Sequence, residues 1–236
     1  MNTTVVWLSC SLRLADHPAL ACAAERGAVV PVFVWAPDEE APWEPGGAHR
    51  WWLHASLRAL AHDLDARGSR LTLRAGPTLG ALADVARETG ADRVVWQASA
   101  EPHLAARDVA IGRGLTAAGL RATMFGGQLL HDPRAIRTGT GGSYGVFGPF
   151  WSKVQAETVV GEPLPVPELR APGAWPPSDA LDAFGLTPEA QDGVDWAGTM
   201  RATWTPGEAG AQERVAALAA SILSGYGAAR DWPSVE

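Results

Sequence analysis

Lysine is almost missing from this chain: Lys153 is the only one, and with the arginines it makes 19 cations against 26 acidic residues, a net charge of −7. Proteins that grip duplex DNA alone normally carry a basic face, because neutralised phosphates supply most of their affinity. No Lys/Arg cluster occurs here, so charge argues against tight DNA binding by this polypeptide unaided. Cysteine is scarce as well. Cys10 and Cys22 are the only two, which argues against a disulfide framework and points to a reducing cytoplasm. No apolar run approaches the length of a membrane span. The opening Met-Asn-Thr-Thr has no basic segment or cleavage motif, so no secreted precursor is expected. The histidines (His17, His49, His54, His62, His103 and His131) show no metal-ligand spacing with a third ligand. No Walker loop, G-x-S-x-G elbow or G-x-G-x-x-G motif appears at an expected strand-to-helix turn.

What is present is a regular alternation. With 236 residues, 47% of them hydrophobic, the chain can bury one full core plus an appendage, or two small domains. Val5 to Leu8, Val29 to Val34, Leu71 to Leu73, Val94 to Trp96 and Ala122 to Phe125 read as buried strands. Between them Leu53, Leu57, Leu60 and Leu64 recur at helical spacing, as do Leu79, Leu82 and Ala86, and then Leu104, Ile111, Leu115 and Ala118. Gly68, Gly90 and Gly119 stand where helix C-termini need a positive φ. Apolar strands alternating with helices imply a parallel sheet covered on both faces. The predicted class is α/β, a five-stranded doubly wound parallel sheet.

Four regions follow. Residues 1–130 form the α/β domain and 131–160 a glycine and aromatic closing segment. Residues 161–210, which hold eight of the 18 prolines, read as an interdomain linker with semi-rigid stretches such as Pro163 to Pro167. Residues 211–236 supply one amphipathic helix with Val215, Leu218, Ala219, Ile222 and Leu223 on its stripe. A stripe without a partner should dock back on the domain, stay disordered after about residue 205, or drive self-association.

The candidate site lies in the loops at the carboxyl edge of the predicted sheet, where ligands of open α/β folds settle. After the first strand comes Ser9-Cys10-Ser11-Leu12-Arg13-Leu14-Ala15-Asp16-His17-Pro18, with Asp16 as expected helix cap and Pro18 in the first turn. After the fourth comes Trp96-Gln97-Ala98-Ser99-Ala100-Glu101-Pro102, with Arg107-Asp108 further on. Glu101 suits the positive end of a helix dipole. Trp35 and Arg50 are expected on the same crevice, one stacking on a flat heterocycle and the other hydrogen-bonding it. Gly139-Thr140-Gly141-Gly142-Ser143-Tyr144-Gly145-Val146-Phe147-Gly148-Pro149-Phe150-Trp151 is too rich in glycine and aromatic residues for an ordinary helix.

That last stretch resembles the T-G-x-G-x-Y-x-V-F-x-P-F-W segment closing the antenna domain of DNA photolyases and cryptochromes. Leu12, Arg13, Leu14, Asp16, Pro18, Ala19 and Leu20 match that family's opening. Trp96, Glu101, Pro102, Arg107 and Asp108 match its W-N-x-x-x-E-P-x-x-x-x-R-D segment. Ser9, Cys10 and Ser11 depart from it, standing where members usually carry two basic residues and an aspartate. The resemblance implies light-driven repair of cyclobutane pyrimidine dimers in DNA. An antenna pigment in the α/β half would feed reduced FAD in a helical half. Tyr226 matches a tyrosine that helps hold the FAD diphosphate, within Tyr226 to Pro233. The motifs that should follow are not in this sequence, so catalysis by these residues alone is not expected, and no catalytic residue is assigned. His103 and Leu104 replace the Asn-Glu pair of folate-binding members, which disfavours a methenyltetrahydrofolate antenna. Ser99 replaces an aspartate of deazaflavin binders, which weakens that reading too; an antenna pigment of flavin or deazaflavin type stays among the expectations, as does none. A degenerate pigment- or nucleotide-binding module, or a cryptochrome-like photosensory fragment, is the alternative.

Overall fold

The computed structural model describes residues 2–132, 135–187 and 194–232. Five parallel strands form one sheet: β1 (Asn2–Trp7), β2 (Gly27–Trp35), β3 (Thr72–Ala75), β4 (Arg93–Gln97) and β5 (Arg121–Phe125), in the order β3-β2-β1-β4-β5. Helices α1 (Pro18–Arg26), α2 (Gly47–Asp65), α3 (Thr78–Thr89) and α4 (Pro102–Ala117) connect them. The predicted doubly wound α/β sheet is therefore present, with its strands within a few residues of the expected bounds.

The period of two along each strand sorts the core into two layers. Val6, Leu8, Val29, Phe33 and Trp35 face α1 and α2, against Leu20, Leu53, Leu57, Leu60 and Leu64. Val5, Trp7, Val30, Val32, Val94 and Trp96 face α3 and α4, against Leu82, Val85, Ile111 and Leu115. Every residue of β2 is buried, which is why it reads as an unbroken apolar run. Gly68, Gly90 and Gly119 have φ of 68°, 65° and 85°, so each supplies the left-handed turn that ends its helix.

Residues between 161 and 187 are not a free tether. Arg170 bridges Ala28 in parallel, and Val29 N–H donates to the Arg170 carbonyl at 2.9 Å. This covers the outer edge of β2 just before β3 begins pairing at Val32. Pro31, which has no N–H to offer a ladder, sits between the two pairings. Leu169, Phe184 and Leu186 complete the α1/α2 layer, and Trp175 packs on the other. The prolines hold an extended path along which these anchors drop into the core.

The glycine and aromatic segment does contain a helix: α5 (Phe147–Glu157) begins inside it. Pro149 is tolerated because it falls in the first turn, where N–H groups have no intrahelical partner. Helical spacing then brings Phe147 over Trp151, their rings stacked at 6.1 Å and 9°. Beyond Ala180 come α6 (Gly198–Thr203), α7 (Glu208–Ala217), a wider turn over Leu218–Ile222 and the short α8 (Tyr226–Ala229).

Candidate functional site

Strand order reverses between β1 and β4, so the loops leaving their carboxyl ends part to opposite faces and open a crevice between them. It encloses about 1250 Å3. The β1–α1 loop supplies one wall with Ser9, Cys10, Ser11 and Arg13, and the β4–α4 loop supplies Ala100 and Glu101. The first half of α2 adds His49, Trp52 and Ser56, and α7 closes the remaining side with Ala211, Gln212 and Ala216.

Ser9, Cys10, Ser11 and Glu101, all singled out from sequence, therefore meet at one place. Glu101 is the N-cap residue of α4 and its side chain makes no capping hydrogen bond, leaving the carboxylate exposed at the rim. The Ser9 hydroxyl is buried without a hydrogen-bond partner, an unmet polar group on the crevice wall. Burial pushes the Cys10 thiol up from its ordinary pKa, and its sulfur lies 3.6 Å from the Gln97 carbonyl oxygen. A thiol held protonated in this way is a poor nucleophile.

The other four sequence candidates stand elsewhere. Trp35 is nearly buried in the α1/α2 layer, stacked on Phe184 at 6.5 Å, with the Arg50 guanidinium 5.8 Å from its ring. Arg50 also donates from Nε to the Pro45 carbonyl at 2.8 Å. These two brace the linker and the loop before α2, and neither borders the crevice. Ser99 lies behind the wall, its N–H donating to Asp108 Oδ2 at 3.0 Å. Tyr226 is half exposed on α8 and does not border the crevice. Pro233, which ends its motif, lies outside the described residues.

Three residues that position the site carried no role in the sequence reading. Asp108 is fully buried, paired with Arg107 at 3.0 Å, and holds the β4–α4 loop through Ser99. Arg107 in turn lies 5.3 Å from the Trp7 ring, so the Arg-Asp pair locks α4 onto β1 and β4. His17, not Asp16, caps α1: its Nδ1 accepts from Leu20 N–H at 3.1 Å. Asp16 instead adopts φ 50° and accepts from Leu164 N–H through Oδ1, tying the loop to the linker. Burial pushes the His17 pKa down to about 4, so the imidazole is neutral and free to accept. Glu208 of α7 is the third: Leu14 N–H donates to its Oε2 at 2.7 Å and Ala15 N–H to its Oε1 at 3.0 Å. No local pattern announces a contact between residues almost 200 positions apart, whereas the Arg-Asp spacing and the His-Pro helix start were visible.

Behind the crevice, Gln97 ends β4 with its side chain buried and its amide unpartnered. Gly127 passes directly over that amide at φ 137°, where any Cβ would collide with it. Among the described residues no cluster of three potential metal ligands occurs, and no helix is long and apolar enough to cross a membrane.

A switch-point crevice on a five-stranded parallel sheet, entered by these two loops, defines a class. The family model for DNA photolyase matches residues 4–168, and the chain belongs to that family. A deoxyribodipyrimidine photo-lyase of Agrobacterium fabrum is 39% identical over 232 residues, which is 98% of this chain and 47% of the relative. Cryptochrome-2 of Arabidopsis thaliana is 34% identical over 211 residues, 86% of this chain and 34% of that protein. The crystal structure of a bacterial class III photolyase from Agrobacterium tumefaciens superposes with a TM-score of 0.91 at 38% identity, covering 99% of this chain and 48% of the other. This chain thus spans about half the length, or less, of these relatives.

Proposed function

We propose that this chain is the light-collecting half of a photolyase-family protein, and that its crevice holds a flat pigment of flavin or deazaflavin type. The observation that carries the reading is the crevice itself, with the unmet Ser9 hydroxyl on its wall. The residues present fit such a group. Short side chains at Ser9, Cys10 and Ser11 leave room beside the β1–α1 loop, and the Trp52 indole offers a face for a ring. Ser9 would meet a polar ring edge, with Glu101 and Gln128 at the rim. A bound pigment would supply absorption of blue light. The chain's part is to orient it and exclude water. Folate is disfavoured by His103 and Leu104, as in the sequence comparison.

The wider activity belongs to the same proposal: repair of cyclobutane pyrimidine dimers in DNA, with FAD held in a helical half. Tyr226 is the one residue here assigned to that flavin, and a pocket for a dinucleotide needs many more convergent groups than the half-exposed α8 offers. These 236 residues are accordingly proposed to be inactive alone, and their charge of −7 supports weak DNA binding. Free Cys10 and Cys22 support a cytoplasmic setting. The half-exposed stripe of Leu218, Ile222 and Leu223 supports self-association as a secondary property.

A fluorescence titration of the purified chain with riboflavin and with a deazaflavin tests the crevice. Saturable binding by the wild type, lost in Ser11→Trp, is expected; equal binding by both would place any pigment elsewhere. A repair assay on dimer-containing DNA tests the second part. Illumination of this chain with added FAD should leave the dimers intact, and splitting of them would refute the assignment.

A further inference from the structure

Helix α7 closes the crevice, yet Gly210 is its one buried residue. Its hold on the domain is concentrated at the first turn. There the Glu208 carboxylate straddles two consecutive backbone amides, those of Leu14 and Ala15, at 2.7 and 3.0 Å. Such charge-assisted pairs are among the stronger hydrogen bonds. Just ahead of it, Gly207 adopts φ 108° and lies against α2, where a Cβ would come within 2.7 Å of the Ala59 Cβ. Further along, α7 borders the crevice with Ala211, Ala216 and the largely exposed Val215, and the wider turn after it adds Ala219. The alanines are short and Val215 is mostly exposed, so they bury little apolar area and add little to the grip. Leu218, Ile222 and Leu223, which could have added more, are exposed.

We propose that α7 is a hinged strap over the crevice, latched by Glu208 on the Leu14 and Ala15 amides, and that release of this latch opens the crevice for ligand entry. Gly207 is the hinge, since its positive φ and lack of a side chain let the strap base sit on α2. Glu208 is a positioning residue: it sets where the wall stands by holding the start of α7 on the β1–α1 loop. The inference goes beyond the pigment reading and does not depend on which molecule enters.

Cys10 reports the opening without any ligand, because it lines the crevice, and Cys22 on α1 serves as the internal reference. The experiment is peptide-resolved alkylation of the full chain with a bulky maleimide and with iodoacetamide. Losing a charged hydrogen-bonded contact raises an open population by about ten-fold or more. Glu208→Ala should therefore accelerate maleimide labelling of Cys10 by about that factor, more than it accelerates iodoacetamide, with Cys22 unchanged. Glu208→Gln, which keeps one acceptor oxygen, should fall between. Gly207→Ala, which pushes the base away from Ala59, should reproduce the acceleration independently. Unchanged Cys10 labelling in Glu208→Ala and Gly207→Ala would overturn the proposal. So would rapid hydrogen exchange of the Leu14 and Ala15 amides in the wild type, a measurement that needs no variant.

Discussion

Acidification should unfasten this domain through His17. The imidazole is buried at the start of α1, accepts from Leu20 N–H, and has its pKa pushed down to about 4 by that burial. In the unfolded chain the same group titrates near 6.5. Below that pH the unfolded state takes up a proton that the folded state refuses, so stability falls. The contribution is complete above pH 6.5, declines as pH drops towards 4, and changes no further below it. A difference of this size corresponds to about 3 kcal/mol. In a protein of this length that amounts to a drop of roughly 6–12 °C in Tm across the window. His17→Asn isolates the effect, because asparagine also caps helices well but does not titrate. Urea unfolding of both proteins at intervals from pH 7 to pH 4 is the assay. The wild type should lose about 3 kcal/mol more than the variant over that range. Parallel pH profiles would show that His17 is not held neutral by its surroundings, and would refute the cap.

Two further perturbations test how the crevice is supported. Asp108→Ala leaves Arg107 without its buried partner and releases the Ser99 amide, so urea unfolding should show a loss of about 3–5 kcal/mol; a loss below ~1 kcal/mol would remove the pair from the account. Gly127→Ala sets a side chain at positive φ against the Gln97 amide and should lower stability by about 2–4 kcal/mol. An unchanged Tm there would mean that the loop after β5 moves aside freely.

Periodicity was enough for the sheet because both of its faces are covered. Buried strands such as Val29 to Val34 stay apolar throughout, and the glycines at 68, 90 and 119 punctuate the helices. Half of the candidate site was legible for a related reason: Ser9, Cys10, Ser11 and Glu101 sit in loops that follow strands, and loops after β1 and β4 must converge at the switch point. Trp35 was drawn away by a partner from distant sequence, Phe184 in the linker, and Arg50 by the Pro45 carbonyl in the loop just before its own helix. A proline-rich stretch gives no sign of which surface it will follow, so its bridge at Ala28 and its anchors at Leu169 and Leu186 could not be anticipated. The cap of α1 went to His17 over Asp16 because burial keeps the imidazole unprotonated, and burial is a tertiary fact. Glu208 was out of reach for the same reason.

The near-ultraviolet and visible absorption spectrum of the chain, purified from cells that make both flavins and deazaflavins, bears most directly on the light-collecting assignment. A bound-pigment band that survives gel filtration and disappears in Ser11→Trp is the expected result. A spectrum of tryptophan alone, unchanged after incubation with riboflavin and a deazaflavin, would contradict it.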